Sequence, residues 1–295
     1  MCGVLRRGRG DGFDKVKLSF STNAFTRFSL CEAVAKIAAA GYAGVEILAD
    51  MPHLFAAPAA ETELPEVQRA LRDAGIQAAN LNANTAIGYY GRGFWEPLFE
   101  PSLAHPEEKE RRWRISYTKK VIDFAAILCA PAVSVTSGRP VPGCSPEKGL
   151  LLLRDSLAEI LDYAGDLGIQ IGLEYEPGLL IENCDELAPF LDVMDHPWLG
   201  ANLDLGHSHL LGEEAEAVIS RLGEKIFHVH LEDIRDRKHF HLIPGLGDIN
   251  FQQVLASLHK QYDGFVTVEL YTYPQAPEEA AARARVYLEQ FPVWS

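Results

Sequence analysis

Ile169-Gln-Ile-Gly-Leu-Glu174, Leu199-Gly-Ala-Asn-Leu-Asp204, Ile226-Phe-His-Val-His230 and Phe265-Val-Thr-Val-Glu269 share one construction: a short apolar run closed by a carboxylate or an imidazole. Runs of this length, rich in β-branched and other apolar residues and each preceded by a helical stretch, read as parallel strands buried on both faces. The closing residues are 30, 26 and 39 positions apart, the length of one helix plus one strand. A barrel of alternating strands and helices presents the carboxyl ends of its strands on one rim, so residues this distant in sequence can meet there. Glu174, Asp204, His230 and Glu269 therefore outline a metal site.

The same reading continues in both directions. Strands are expected at 15–21, 44–48, 77–81, 132–136, 170–174, 199–204, 225–231 and 265–270. Between them, Ser29 with Glu32 forms a capping box that opens a helix ended by Gly41. Further helices are expected at 64–73, 106–128, 146–166, 185–194, 213–222, 251–261 and 277–290. Strict alternation without a spare strand predicts an α/β fold, a closed (β/α)8 TIM barrel in a single domain. A doubly wound sheet usually carries a Gly-rich ligand turn near its start, and none is present. Residues 1–14 read as a flexible N-terminal leader and 15–295 as the barrel. The segment 82–106, with Asn82, Asn84, Tyr89, Tyr90, Arg92, Phe94 and Trp95, is long for a plain connection and predicts a lid over the site.

Bulk properties narrow the function. At 295 residues, 47% hydrophobic and 23% charged, the chain can bury one large core. Its net charge of −14 repels phosphate backbones, and the basic residues Lys109, Arg111, Arg112, Arg114, Lys119 and Lys120 are interleaved with apolar ones along a helix, as on a solvated face. No nucleic-acid partner is expected. The leader lacks a signal-peptide core, and no run reaches the roughly 18 apolar residues of a membrane span, so a cytoplasmic protein without membrane association is expected. Cys2, Cys31, Cys129, Cys144 and Cys184 have no paired spacing and read as reduced thiols.

Two glutamates, an aspartate and a histidine make a hard, mostly oxygen donor set. It suits one divalent ion, Mn²⁺ first, with Mg²⁺, Co²⁺, Fe²⁺ or Zn²⁺ as alternatives. Open positions on such an ion can take a substrate carbonyl and its neighbouring hydroxyl, polarise the carbonyl and stabilise an enediolate. Glu174 and Glu269, on either side of it, are placed to remove a proton from one face of a carbon and return it to the other.

Asp204-Leu-Gly-His207, His228-Val-His230-Leu-Glu-Asp233, Pro244-Gly-Leu-Gly247-Asp248-Ile and Tyr262-Asp-Gly-Phe-Val-Thr-Val-Glu269 resemble the motifs of the xylose-isomerase-like barrel superfamily, within it the sugar phosphate isomerase/epimerase and ketose 3-epimerase branch. The resemblance runs from Leu18-Ser-Phe-Ser-Thr22 through Gly41-Tyr-Ala-Gly44-Val-Glu46 to the final strand. It implies an isomerase or epimerase of a sugar, sugar phosphate or cyclitol ketone, with one ion held by Glu174, Asp204, His230 and Glu269, and His207 on a substrate oxygen. Barrels of this branch often pair as homodimers. The place of a substrate-binding arginine falls on His241 when counted back from Pro244, and on Asp236 when counted forward from His230. Leu180 stands near the place of a second substrate carboxylate, for which Glu176 is the substitute. Arg139, just past a strand end, and Asn82 complete the substrate-contact candidates.

Other readings compete. A strand-end aspartate such as Asp204 can simply cap the next helix. His228, two positions before His230, is expected on the opposite face as a hydrogen-bonded structural histidine, and His53, His105, His209 and His239 as hydrogen-bonded or surface groups. Tyr89, Tyr90, Phe94 and Trp95 serve equally as lid packing or as sugar-stacking rings. Arginine in a loop such as Arg139 is commonly structural or solvated. A metal-dependent dehydratase or lyase of a hydroxy-keto compound would use the same ion and enolate. An abasic-site endonuclease of the superfamily would need further metal ligands where this chain has Asn82-Ala-Asn84, Thr136-Ser137 and His239-Phe-His241. A non-catalytic barrel subunit would not need the complete ligand set.

Overall fold

The computed structural model describes residues 16–90 and 99–294. The 1–14 leader and the 91–98 part of the expected lid lie outside the described residues. Eight parallel strands close a barrel: β1 (Lys17–Ser21), β2 (Gly44–Leu48), β3 (Gln77–Asn82), β4 (Ala132–Thr136), β5 (Gln170–Glu174), β6 (Leu199–Asp204), β7 (Ile226–Leu231) and, after a two-stranded hairpin, β10 (Phe265–Val268). Their order around the barrel is β1-β10-β7-β6-β5-β4-β3-β2, each strand lying beside its sequence neighbour. The TIM barrel expected from alternation is therefore the observed fold. Every residue of β2, β4 and β6 is buried, which is why these strands read as continuous apolar runs rather than alternating ones.

The helices are α1 (Leu30–Ala39), α2 (Leu64–Ala74), α3 (Ile87–Tyr90), α4 (Glu108–Leu128), α5 (Pro146–Leu167), α6 (Cys184–Met194), α7 (Leu205–Leu211), α8 (Ala215–Leu222), α9 (Phe251–Leu258) and α10 (Pro277–Leu288). The capping box is present: Glu32 N donates to Ser29 Oγ at 3.3 Å and Ser29 N donates to Glu32 Oε2 at 2.9 Å. Pro146 occupies the first turn of α5, where its missing N–H costs nothing, and Gly168 closes that helix at φ 70°. Among the described residues no helix is long and apolar enough to cross a membrane.

Three short elements escaped the sequence reading. Helices α3 and α7 are too brief to show a period. The hairpin β8 (Asp233–Arg235) and β9 (Lys238–Leu242) is charged and turns through Asp236 and Arg237, both at positive φ. The thiol expectation also needs one correction: Cys31, Cys144 and Cys184 are free, but Cys129 is disulfide-bonded, a pairing its sequence spacing does not reveal.

The hairpin matters for the site because a single carboxylate pins it to the loop that follows. Asp233 accepts backbone N–H bonds from Ile234, Gly245, Gly247 and Ile249 at 3.0, 2.8, 2.7 and 3.2 Å. This accounts for the glycines of Pro244-Gly-Leu-Gly247. Gly245 has φ 92°, and a Cβ on Gly247 would lie 2.3 Å from both Asp233 Oδ1 and the Ile234 carbonyl.

Candidate metal centre and active site

Asp204 and Glu174 are the last residues of β6 and β5, His230 lies near the end of β7, and Glu269 follows β10 directly. These four strands are consecutive around the barrel, and the pairing of Asp204 with His230 sets the two side by side. The His230 Nδ1 atom is the hub: it lies 3.4 Å from Glu174 Oε2, 3.9 Å from Asp204 Oδ2 and 3.9 Å from Glu269 Oε2. All four side chains are buried, with Glu269 the most accessible at 7%. Glu174, Asp204 and His230 each bring one ligand atom within 4.8 Å of the others, and Glu269 adjoins this group through its approach to His230 Nδ1.

Each donor is aimed by a neighbour. His230 Nε2 donates to Glu46 Oε2 at 2.7 Å, which turns Nδ1 toward the three carboxylates; these favour a proton on it in the ion-free protein, and its lone pair becomes available to a cation that displaces that proton. Glu269 Oε1 accepts from Asn23 at 2.9 Å and from Asn82 at 3.3 Å. Glu174 Oε2 accepts from Asn84 at 2.8 Å and also from Asn202. Asp204 Oδ1 accepts the His207 N–H at 2.8 Å and so caps α7, while Oδ2 is buried without a close hydrogen bond, and burial together with the Asp204 carboxylate pushes the neighbouring Glu232 carboxyl well above the usual range. The capping reading and the ligand reading of Asp204 hold together, one oxygen for each. A buried carboxylate oxygen without a close hydrogen bond is costly unless a cation satisfies it. The donor set fits a divalent ion on this ground, with oxygen predominating.

Electrostatics point the same way. Without an ion, burial together with the Glu174, Glu46 and Asp204 carboxylates pushes the Glu269 carboxyl up to about 8, against the pull of His230. Burial disfavours charge on His230, yet Glu46, Glu269 and Glu174 drive its pKa well above the usual imidazole value. Glu46 is also penalised by burial, but His230 and His228 hold it well below the carboxylate range. A cluster that retains protons to moderate its own charge is one that a cation would discharge.

Glu46 is the functional residue the sequence reading missed. It also accepts from Asn80 at 2.8 Å and Asn82 at 3.3 Å, and His228 Nε2 lies 3.3 Å away. A carboxylate inside an otherwise apolar strand, Gly44-Val-Glu46-Ile-Leu48, was the available signal. The expectation that His228 faces away from His230 is wrong, because residues two apart on a strand share a face. His228 points into the barrel, hydrogen-bonded to Thr267 Oγ1 at 2.9 Å. Its reading as a satisfied structural histidine agrees with these contacts.

Above the ligands sits a second group of nitrogens. His207 Nδ1 donates to the Tyr175 carbonyl at 3.1 Å and His241 Nδ1 donates to the Glu269 carbonyl at 2.9 Å. Burial keeps His241 neutral with a lone pair on Nε2, whereas at His207 burial is outweighed by the Asp204, Glu176 and Glu174 charges, which raise its pKa and favour a proton on its Nε2. The Nε2 atoms of His207 and His241 lie 3.2 and 3.1 Å from His239 Nε2. His239, expected to be a hydrogen-bonded or surface group, is hydrogen-bonded within a three-histidine cluster with His207 and His241, and Tyr271 packs on His241 with ring centroids 4.5 Å apart. Asp236, the alternative to His241, lies in the hairpin turn, where its N–H bonds to Asp248. Glu176 is half-buried, and burial with the nearby Glu174 and Asp204 charges raises it to about 7. Arg139 is exposed, its guanidinium 5.7 Å from the Phe99 ring centroid. The Asn82 amide is engaged within the protein, donating to Glu46 and Glu269 and accepting from Asn84 N at 3.1 Å. Of the lid aromatics, Tyr89 stacks edge-on against Trp113 at 4.5 Å, and the side chains of Tyr90, Phe94 and Trp95 are outside the described residues. His53 bonds Thr22 Oγ1 at 3.0 Å, as expected of a structural histidine.

Residues 34–290 match the xylose isomerase-like TIM barrel family, and the chain belongs to it. It is 26% identical over 261 residues to fructoselysine 3-epimerase of Shigella flexneri, covering 85% of this chain and 88% of that protein. A D-tagatose 3-epimerase-like protein of known structure superposes with a TM-score of 0.74 at 24% identity, covering 93% of this chain and 99% of that one. The IOLI protein, solved with a zinc atom bound, superposes with a TM-score of 0.72 at 20% identity, covering 93% and 97%. At these identities the two structures speak for the fold alone.

Proposed function

We propose that the protein is a divalent-metal-dependent epimerase or isomerase of a sugar ketone, working by proton transfer at the carbon beside the carbonyl. The observation that carries this reading is the placement of Glu269 and Glu174 at the two ends of the four-strand arc β10-β7-β6-β5, both facing His230 Nδ1. Glu174, Asp204, His230 and Glu269 would hold the ion, which supplies Lewis-acid polarisation of the substrate carbonyl when bound. Mn²⁺ suits this oxygen-rich set, and zinc is the metal recorded in the IOLI structure.

The protein's own part is to position and to move protons. One glutamate takes the proton from one face of the carbon and the other delivers a proton to the opposite face. The two carboxylates are held differently: Glu269 by the amides of Asn23 and Asn82, Glu174 by those of Asn84 and Asn202. His207 Nε2 donates to a substrate oxygen, the His241 Nε2 lone pair accepts a substrate hydroxyl, and Glu176 and Arg139 offer an acid and a cation to more distant groups. The substrate reading follows the kinship with fructoselysine 3-epimerase and supports a ketose or a ketose derivative. Small-molecule chemistry also fits an acidic chain, and no nucleic-acid substrate is proposed.

The test is turnover in D2O of a panel of ketoses, a fructosamine and inososes with Mn²⁺ added. The expected result is solvent deuterium at the carbon next to the carbonyl of the epimerised product. Turnover that carries no solvent label would remove the proton-transfer mechanism in favour of hydride migration.

A further inference from the structure

We propose that Arg114, on α4, is a positioning residue for Glu174 and that it acts through Asn84. Arg114 is 2% exposed, and its guanidinium grips three successive carbonyls of the segment that leaves β3. Nη1 donates to Thr85 O at 3.0 Å, and Nη2 donates to Asn84 O at 2.9 Å and also to Ala83 O. The planar fork of donors makes this possible, and a lysine could not reproduce it. On the other edge of the same segment, Asp50 accepts from Thr85 Oγ1 at 2.5 Å, Ile87 N at 2.7 Å and Gly88 N at 2.8 Å. Residues 83–88 are thus clamped between a buried cation and a buried anion.

What the clamp delivers is Asn84. Its backbone carbonyl is one of the three held by Arg114, and its side-chain Nδ2 donates to Glu174 Oε2 at 2.8 Å. That oxygen lies 3.4 Å from His230 Nδ1. A chain of contacts therefore runs from the guanidinium through one residue to a carboxylate of the candidate metal centre. No ion pair of Arg114 with a carboxylate is among the described contacts, so its charge is met chiefly by carbonyl dipoles. Keeping a full charge in such a place is expensive compared with a neutral donor, and three carbonyls fixed at once is what the charge secures. Freed of that grip, Asn84 would swing with its loop and Glu174 would keep only the Asn202 amide.

The proposal rests on Glu174 being a ligand, and the experiment reads the two ideas separately. Free Mn²⁺ is titrated by electron paramagnetic resonance into the wild type, Asn84→Ala, Arg114→Lys, the double variant and Glu174→Gln, with thermal melts alongside. Loss of an outer contact typically weakens metal binding by about 10-fold or more, so Asn84→Ala and Arg114→Lys should each raise the Mn²⁺ Kd by about that factor. On the Asn84→Ala background, Arg114→Lys should change Kd by less than about 2-fold, since residues acting through one contact are non-additive. Additive losses, no effect of Asn84→Ala, or a lowered melting temperature with Kd unchanged in Arg114→Lys would each overturn the proposal. Should Arg114→Lys not fold, Asp50→Asn loosens the other edge of the clamp and must show the same dependence on Asn84, additive losses again being fatal. Wild-type Mn²⁺ affinity in Glu174→Gln would instead overturn the ligand assignment itself.

Discussion

The Nε2 atom of His230 lies 2.7 Å from Oε2 of Glu46, a carboxylate with no exposed surface that reaches the centre from a strand three places around the barrel. This bond decides which nitrogen faces the ligands and raises the donor strength of that nitrogen. Glu46→Gln keeps the shape and an acceptor oxygen but removes the charge that polarises the imidazole. The expected result is a Mn²⁺ or Zn²⁺ affinity weaker by about 10- to 100-fold with the fold retained. Titration calorimetry with circular dichroism as a control checks it, and an unchanged affinity would count against the role given to Glu46.

Ion binding should release protons. In the ion-free protein burial and neighbouring carboxylates raise Glu269 to about 8, and His230 is held well above its usual pKa by Glu46, Glu269 and Glu174, against the effect of burial. A protonated Glu269 or His230 must give up its proton to an incoming cation, so affinity should climb as pH rises through 8, where Glu269 ionises, and go on climbing until His230 is neutral. Calorimetry in buffers of different ionisation enthalpy measures the protons released. A pH-independent affinity with no proton release would show that the cluster is already ionised.

The barrel was legible because its strands are buried on both faces and therefore stand out as apolar runs with abrupt polar ends. The ligands were legible for the same reason: Glu174, Asp204 and Glu269 interrupt hydrophobicity where a strand stops. What supports them was not. Asn23, Asn84 and Asn202 are amides whose value comes from an orientation that only the closed barrel supplies, and Glu46 belongs to a strand three places around the barrel from its partner His230. The histidines show the limit most clearly. His228 shares the inward face of its strand with His230, as the two-residue period requires, and nothing in Lys-His-Phe-His-Leu announces the hairpin that brings His239 to His207 and His241.

His207 separates orientation from metal retention. Its backbone N–H caps onto Asp204, a bond that survives truncation of the side chain, while its Nε2 points at His239 and the pocket. His207→Ala should therefore keep the ion and lose roughly 100-fold or more in turnover through poorer placement of the substrate. Metal content by elemental analysis together with kcat and KM on an accepted ketose checks it. Loss of the ion would make His207 part of the metal's support instead.

Gly247→Ala should be a stability variant with a reach into the site. The added Cβ would stand 2.3 Å from the Ile234 carbonyl, which is backbone and cannot rotate aside, and 2.3 Å from Asp233 Oδ1. Overpacking of this kind costs about 1–3 kcal/mol. The damage falls on the Asp233 hub that ties the hairpin to the following loop, and the hairpin carries His239 and His241. A lower denaturation midpoint with a raised KM is the expected pair of effects, read by urea unfolding and steady-state kinetics. A wild-type midpoint would mean that the loop yields without loss.

The two glutamates can be told apart by direction. If Glu174 and Glu269 address opposite faces of the same carbon, each takes its proton from only one of the two epimers. Replacing one by glutamine removes a base and a ligand charge together, so the ion must be supplied at saturating concentration for the effect on proton transfer to be read alone. Under that condition overall epimerisation should fall by about 10²- to 10⁴-fold in either variant. Washout of a deuterium placed at the reacting carbon should then split: Glu174→Gln abolishes it from one epimer and spares the other, and Glu269→Gln does the reverse. Nuclear magnetic resonance of each labelled epimer in ordinary water makes the measurement. Equal loss from both epimers in one variant with none in the other would assign both proton transfers to a single carboxylate, and the opposed-glutamate mechanism would fall.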